Sequence, residues 1–381
     1  MSRLFVPVSG RYDQKCHKAV SDLKKMGAER VYISIEERFP FEKGERRDRV
    51  LSDLKSKVDF YNSNGIEAAV WIDTLGFGGA LPFYNVEAAK EYTRIRSVRG
   101  EELDDAFCPM DSRFTDMMCE LVEDIVRVSG TKMLMLDDEL CLSVRPGIGC
   151  ACHRHLAALS ELVGERVELS KVPRLVFMGG PSRYRSAWLA LMRDTLLDFC
   201  RKIREAVDRV SEDVRIGFCS GYTSWDLEGA DAMEISRTLA GKNTPFLRFT
   251  GAPYWIAARR FERQSLQTVI ESTRMQNAAC TGSGIEVFTE ADTYPRDRFN
   301  TPAALSECFD LATGAVEGLD RLKYVYEYTN QPHYDRGYVE AHLRNKELYD
   351  ETYRAFRGKR AVGVRVYESI RKIENADLPV I

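Results

Sequence analysis

The sequence predicts an α/β fold in which eight parallel strands close into a (β/α)8 TIM barrel with long βα loops. Eight apolar runs rich in β-branched and aromatic residues recur along the chain, and segments with the apolar period of a helix separate them. No Gly-x-Gly-x-x-Gly follows the first run, which disfavours a doubly wound open sheet. Eight strand and helix units over about 330 residues match the length of a barrel instead.

Each predicted strand is followed by a helix or by a long polar segment. Gly27 ends the first predicted helix, and the Asn64-Gly65 turn ends the second. The predicted strands span residues 4–8, 31–35, 68–72, 132–136, 214–219, 246–250, 285–288 and 322–326. The main predicted helices span residues 15–26, 46–62, 113–128, 186–210, 264–279 and 302–316.

Two connections, 76–111 and 163–183, are longer than most connections within a compact domain. Such loops are usually functional, and part of a ligand site is expected in the first of them. Near the end of the chain the sequence predicts a helix from His342 to Phe356 and a strand over 361–367 with nothing after it to pair. We therefore expect a catalytic barrel over 1–340, and over 341–381 a helix and strand leading toward a possible further domain.

The composition is that of a folded globular protein. Charged residues make up 30% of the chain and the net charge is -3, which provides no basic surface for nucleic acid or anionic lipid. No stretch approaches the roughly 18 apolar residues of a membrane span, and the N-terminus becomes polar too early for a signal peptide. We expect a cytoplasmic protein that binds neither nucleic acid nor membrane and takes a small neutral or weakly charged ligand.

Ten cysteines occur, mostly singly within apolar segments, where unpaired core thiols are expected. Cys150 and Cys152 are the exception, because with His155 they offer thiolate and imidazole ligands of the kind that a structural zinc site uses. A fourth ligand must come from elsewhere. Cys108 precedes the helix that leads to the fourth strand, so its loop should be a neighbour. These four residues are the predicted metal ligands; the alternative is ordinary thiols beside the start of a solvated helix.

Carboxylates end two of the predicted strands. Asp137, Asp138 and Glu139 follow the fourth strand directly, and Glu290 follows the seventh. Catalytic residues of such barrels lie at the C-terminal ends of the strands. A retaining glycosidase needs one carboxyl group as general acid and base and a second as nucleophile. Glu139 and Glu290 are therefore the predicted catalytic pair.

Each catalytic candidate also has a purely structural explanation. Glu139 is compatible with a solvated loop acid or with a partner for Arg145. Glu290 is compatible with an ion pair to Arg296 or Arg298. A nearby arginine would also hold Glu290 ionised, as a nucleophilic carboxylate requires.

These motifs resemble those of the clan A glycoside hydrolases, and most closely those of glycoside hydrolase family 42, over residues 1–330. In that family an Asn-Glu pair ends strand four and Cys-x-Cys-x-x-Cys follows shortly after, where this chain has Asp138-Glu139 and Cys150-x-Cys152-x-x-His155. The resemblance implies a β-galactosidase-like enzyme with Glu139 as acid/base and Glu290 as nucleophile. It also implies a structural zinc with Cys108 as the upstream ligand, and a homo-oligomer, because the family carries a trimerisation domain.

The chain departs from the family at two positions. Asp138 stands where the family has the asparagine that would contact the sugar 2-hydroxyl, so it would alter the substrate or the geometry. His155 replaces a cysteine but remains a suitable zinc ligand.

The predicted function is hydrolysis of β-linked glycosides, with retention, by an exo-acting enzyme. One alternative is a metal-dependent carbohydrate deacetylase or amidohydrolase, in which Asp137 or Asp138 and the histidines bind a catalytic metal. Another is a non-catalytic carbohydrate-binding barrel. Trp225 is a further candidate sugar-stacking residue. The candidate substrate-binding residues are Asp137, Asp138, Trp71, Tyr254, Trp255 and Arg296.

Overall fold

The chain forms a closed barrel of eight parallel strands with helices between them, as seen in a computed structural model. The structure describes residues 2–9, 16–35, 43–75, 90–137, 140–143, 148–226, 228–251, 266–292, 301–325, 336–360, 362–363 and 372–378. Among these residues no helix is long and apolar enough to cross a membrane.

All eight predicted barrel strands are confirmed. In chain order they are β1 Leu4–Ser9, β2 Ala28–Ser34, β3 Glu67–Ile72, β6 Met133–Leu136, β7 Arg215–Cys219, β8 Phe246–Phe249, β9 Glu286–Ala291 and β10 Asp320–Lys323. Each pairs with the next, and β10 pairs with β1 to close the barrel. The seventh strand, β9, ends three residues beyond its predicted end, so Glu290 lies within it. Inside the predicted loop 76–111, β4 Arg94–Arg96 and β5 Glu102–Phe107 form an antiparallel hairpin.

The six main predicted helices are confirmed as α1, α2, α3, α6, α8 and α9. The predicted C-terminal helix is observed as two helices, α10 and α11, while α5 and α7 lie where no helix is predicted. The helices are α1 Cys16–Met26, α2 Glu45–Ser63, α3 Ser112–Ser129, α4 His153–Val163, α5 Val172–Phe177, α6 Arg183–Asp208, α7 Ala232–Ala240, α8 Leu266–Cys280, α9 Ala303–Gly314, α10 Arg336–Arg344, α11 Lys346–Phe356 and α12 Lys372–Asn375.

Alternate residues of the barrel strands fill the lumen. The aromatic rings of Phe5 and Phe288 meet edge to face at 5.1 Å, and Phe246 stacks on Phe288 at 6.3 Å. The lumen is therefore a packed core rather than a channel. Its buried side chains are Phe5, Tyr32, Ala69, Trp71, Met133, Met135, Cys219, Phe246, Phe288, Leu322 and Tyr324.

An ion network closes the lower end of the barrel. Three arginines approach Glu286 at the start of β9: Arg3 at 3.2 Å, Arg30 at 3.7 Å and Arg215 at 2.9 Å. Arg3 directly precedes β1, Arg30 lies on β2 and Arg215 lies on β7. The opposite end, where the strands finish, carries the candidate site.

A buried polar cluster joins the C-terminal helices to the barrel. Lys323, on the outer face of β10, donates hydrogen bonds to Tyr349 Oη at 2.6 Å and to His342 Nδ1 at 3.1 Å. Its ammonium group also pairs with Asp310 at 2.9 Å and with Glu307. Lys323 is completely buried. These contacts hold α10 and α11 against α9 and the eighth strand.

The division into a barrel over 1–340 and a separate segment over 341–381 stays a prediction. Most of the predicted strand 361–367 lies outside the described residues. The last described residues contact the barrel helices. Arg185 of α6 donates to the carbonyl of Ala376 at 2.5 Å, and Gly179 and Leu378 exchange two backbone hydrogen bonds of 3.0 Å.

Candidate functional site

Glu290 lies at the rim of the barrel, and its carboxylate pairs with Arg248. Nη1 of Arg248 is 2.7 Å from Oε1 of Glu290, and the two side chains are 2% and 0% exposed. The backbone N–H of Gly251 donates to Oε2 at 3.4 Å. The guanidinium group stabilises the negative charge of the carboxylate, and the amide helps to fix its orientation.

The same arginine reaches the end of the fourth strand. Nη2 of Arg248 is 3.5 Å from Oδ1 of Asp137, which directly follows β6. Asp137 is itself fixed, because its N–H donates to the Ile72 carbonyl at 2.9 Å and its carbonyl accepts from Leu140 at 3.1 Å. Arg248 thus links β9, which carries Glu290, to Asp137, which precedes Glu139 by two residues in the sequence.

Hydrogen bonds between β7, β8 and α8 fix the backbone around Arg248. Its carbonyl accepts from the N–H of Ser220 at 2.9 Å. The Ser220 hydroxyl donates to Gln276 Oε1 at 3.0 Å, and Gln276 Nε2 donates to the Thr250 carbonyl at 2.6 Å. Sequence reasoning missed Arg248. The available signal was a cation in the middle of the apolar strand Phe-Leu-Arg-Phe.

Several predicted site residues lie outside the described residues. They are Asp138, Glu139, Tyr254, Trp255 and Arg296, together with the predicted partners Arg145 and Arg298.

The two described tryptophan candidates lie in different environments. Trp71 is in the lumen, 3% exposed, with its ring 6.1 Å from that of Tyr324. Trp225 packs against Phe249, 6.3 Å away, in the core between the barrel wall and the helices. This position disfavours the predicted stacking of Trp225 on a sugar, because its ring is covered by the outer core.

Cys108, Cys150, Cys152 and His155 come together as the sequence predicts. All four are buried, and their ligand atoms lie within 4.8 Å of one another. The sulfurs of Cys108 and Cys152 are 3.6 Å apart, and Nδ1 of His155 is 3.4 Å from each. This cluster could hold a metal ion. Four protein ligands are typical of a structural site, because a catalytic site keeps a position open.

Backbone contacts bring the ligands together from two loops. The N–H of Cys108 donates to the Thr93 carbonyl at 2.8 Å, and that of Ala151 donates to the Arg96 carbonyl at 2.7 Å. The hairpin of β4 and β5 is thereby joined to the loop after β6. Gly149 permits the approach: it has φ +69°, and a Cβ there would lie 2.7 Å from the Trp188 ring.

The chemistry of the donor set fits a metal. Nε2 of His155 lies 3.2 Å from the hydroxyl of Thr195, so a proton on Nε2 leaves the Nδ1 lone pair facing the sulfurs. Burial raises the pKa values of Cys108 and Cys150, whereas hydrogen bonds from these two thiols lower the pKa of Cys152. Of the three sulfurs, that of Cys152 has the surroundings that most favour the thiolate, which is the ligand form of cysteine. No cysteine that the structure describes forms a disulfide bond, and all of these side chains but that of Cys308 are buried.

Comparisons with known proteins give matches to solved structures. GH5_18 from Streptomyces cattleya, in complex with GlcNAc, aligns with a TM-score of 0.52 and 11% identity over 93% of this chain and 80% of its own. A beta-galactosidase from Bacillus circulans sp. alkalophilus aligns with a TM-score of 0.60 and 10% identity over 92% of this chain and 56% of its own. The chain shares the barrel fold of these glycoside hydrolases. No protein-family model and no curated protein sequence matches it.

Proposed function

We propose that the protein is a retaining glycoside hydrolase acting on β-linked glycosides. The observation that supports this most is the buried Glu290 carboxylate, held by Arg248 at the rim of a glycoside hydrolase barrel. A carboxylate nucleophile must be ionised and fixed in direction, and the arginine and the Gly251 amide favour both conditions.

Glu139 is proposed as the acid/base partner of Glu290. It follows Asp137 by two residues, and Arg248 links Asp137 to Glu290. In the first step Glu290 attacks the anomeric carbon while Glu139 protonates the departing oxygen. In the second step Glu139 takes a proton from water, which attacks the glycosyl-enzyme ester and releases Glu290. Retention requires the two carboxyl groups to be about 5–5.5 Å apart.

The substrate contacts are proposed on the sequence pattern. Asp138, Tyr254, Trp255 and Arg296 belong to the loops after the fourth, sixth and seventh strands and remain candidate substrate-binding residues. A β-galactoside is the substrate that the family resemblance favours.

A structural Zn²⁺ is proposed for the cysteine and histidine cluster. Cys108, Cys150, Cys152 and His155 would hold the ion, which would contribute folding free energy and take no part in the reaction. It would fix the hairpin of β4 and β5 to the loop that follows Glu139.

The catalytic assignment can be tested with Glu290→Ala on a panel of aryl β-glycosides. Loss of the nucleophile should lower kcat by on the order of 10⁴. Added azide should restore turnover and give a glycosyl azide of inverted anomeric configuration, because azide occupies the vacated position. Glu271→Ala is the control, since Glu271 is an exposed partner of Arg274 on α8. Unimpaired hydrolysis by Glu290→Ala would refute the assignment.

The metal-dependent alternative gains no support from the described residues. It needs Asp137 or Asp138 and the histidines around one catalytic ion. Nδ1 of His155 instead faces two sulfurs, and among the described residues only the cysteine and histidine cluster groups three or more potential metal ligands.

A further inference from the structure

A buried carboxyl group, that of Glu228, joins the loops that follow β6 and β7. Glu228 is 1% exposed. The backbone N–H of Ser143 donates to Oε1 of its carboxyl group. Segment 140–143 comes directly after the Asp138-Glu139 pair. Glu228 therefore holds the chain just beyond the proposed acid/base.

The contact continues to the metal-ligand cluster. The Ser143 hydroxyl accepts a hydrogen bond from the N–H of Gly149 at 2.9 Å, and Gly149 precedes Cys150. The loop after β6 is thus fixed at two places. Glu228 fixes its first part, and the cluster fixes its end.

The second oxygen of Glu228 distinguishes this contact from an ordinary carboxylate anchor. Oε2 is buried and has no hydrogen-bond partner among the residues that the structure describes. An ionised carboxylate exposes acceptor sites on both oxygens, and burying a charge without partners is costly. The site therefore suits an uncharged carboxyl group.

The electrostatics agree with the geometry. Burial raises the pKa of Glu228 from 4.5 to about 7, and the polar groups of the neighbouring Ser143 and Leu142 oppose this shift only in part. Gly229, the residue after Glu228, packs against Leu189 of α6. Among the described residues, no charged side chain from α6, from the turn after β7 or from segment 140–143 contributes to that pKa.

We propose that Glu228 is a positioning residue whose uncharged carboxyl group fastens the loop after β6 at residues 140–143, directly after Asp138 and Glu139 in the sequence. The effect of Glu228 on catalysis rests on the proposed function, whereas its effect on the stability of the loop does not. Ionisation would leave a buried charge with one unpartnered oxygen, so the fastened loop loses stability as the pH rises from 4.5 through 7. With the pKa at about 7 in the closed loop and 4.5 in the open one, the opening constant should rise about tenfold between pH 6 and pH 8.

Hydrogen exchange read by mass spectrometry tests the proposal without a substrate. Peptides covering 140–150 would be followed at pH 6 and pH 8 in the purified protein, with exchange corrected for the intrinsic chemical rate. Wild type should show the tenfold change. Glu228→Gln retains an acceptor for the Ser143 amide but cannot ionise, so its opening constant should be the same at both pH values. Glu234→Gln is the matched control, because Glu234 on α7 pairs with Arg193 instead.

Equal opening constants at the two pH values in wild type, or a tenfold change retained by Glu228→Gln, would overturn the proposal. If the Glu228→Gln variant does not fold, the wild-type protein still tests the proposal. The change in its opening constant between pH 6 and pH 8 is then compared between peptides covering 140–150 and peptides from α3. A second readout is the pH profile of kcat/KM, which should fall above pH 7 in wild type and extend to higher pH in Glu228→Gln. Failure of the Glu290 azide test with a tenfold loop effect would remove the proposed function and leave the role of Glu228 intact.

Discussion

Protonation of His342 should destabilise the protein in mildly acidic solution. His342 is 2% exposed, and its Nδ1 accepts a hydrogen bond from the Lys323 ammonium group at 3.1 Å. That bond requires an unprotonated Nδ1. Burial, reinforced by the charge of Lys323, lowers the pKa of His342 from 6.5 to about 3.

The sign and size of the effect follow from this lowered pKa. The folded state favours the neutral imidazole, so its contribution to stability is complete above pH 6.5 and is lost as the pH falls toward 3. Between pH 7.5 and pH 5 the loss amounts to about 2 kcal/mol in the free energy of unfolding, and below pH 3 it approaches about 5 kcal/mol.

Urea unfolding at pH 7.5 and pH 5 measures this loss in wild type and in His342→Gln. The glutamine is neutral and can accept from Lys323, so the variant should lack the histidine contribution to the pH dependence. Glu228 acts in the opposite direction over this range but is present in both proteins, so it cancels in the comparison. An identical change in unfolding free energy in the two proteins would refute the reasoning.

Two further variants separate structural from catalytic roles. Arg248→Met and Arg321→Met each remove a buried arginine from a carboxylate and should each cost about 3–5 kcal/mol of stability. Only Arg248→Met should also move the acidic limb of the kcat/KM profile to higher pH, because Arg248 pairs with Glu290 whereas Arg321 pairs with Asp310 away from the rim. Matched profiles for both variants would contradict the role assigned to Arg248. Cys152→Ser should lower both the thermal midpoint of unfolding and the amount of bound zinc, which elemental analysis measures. Treating the wild-type protein with a chelator should lower the thermal midpoint before it lowers kcat. Activity lost to the chelator at unchanged stability would argue against a structural site.

The barrel was predictable because its signals are local and repeated. Each strand is a run of apolar residues, and in the helix that follows the apolar residues recur with the period of a helix. The metal ligands were predictable for a related reason. Cys150, Cys152 and His155 are close in sequence, and barrel topology makes the loop of Cys108 their neighbour.

Arg248 and the buried Lys323 cluster depend instead on distant residues meeting in space. Nothing near Arg248 in sequence shows that its side chain meets Glu290, and Lys323 acquires its partners from three helices. The missed helix α7 is different, because its signals were present. The Asp231 side chain accepts from the N–H of Glu234 at its start, and Gly241 follows its end.

The filled lumen gives the rim a single opening. Trp71, Met135, Cys219 and Tyr324 belong to the packed interior of the barrel, so no ligand can pass through it. Under the proposed function, a glycan must present its reactive sugar to Glu290 from the rim side, and the released sugar must leave by the same route. Product that has not yet left would then block the next substrate, so the proposed function together with the packed barrel predicts competitive inhibition by the free sugar.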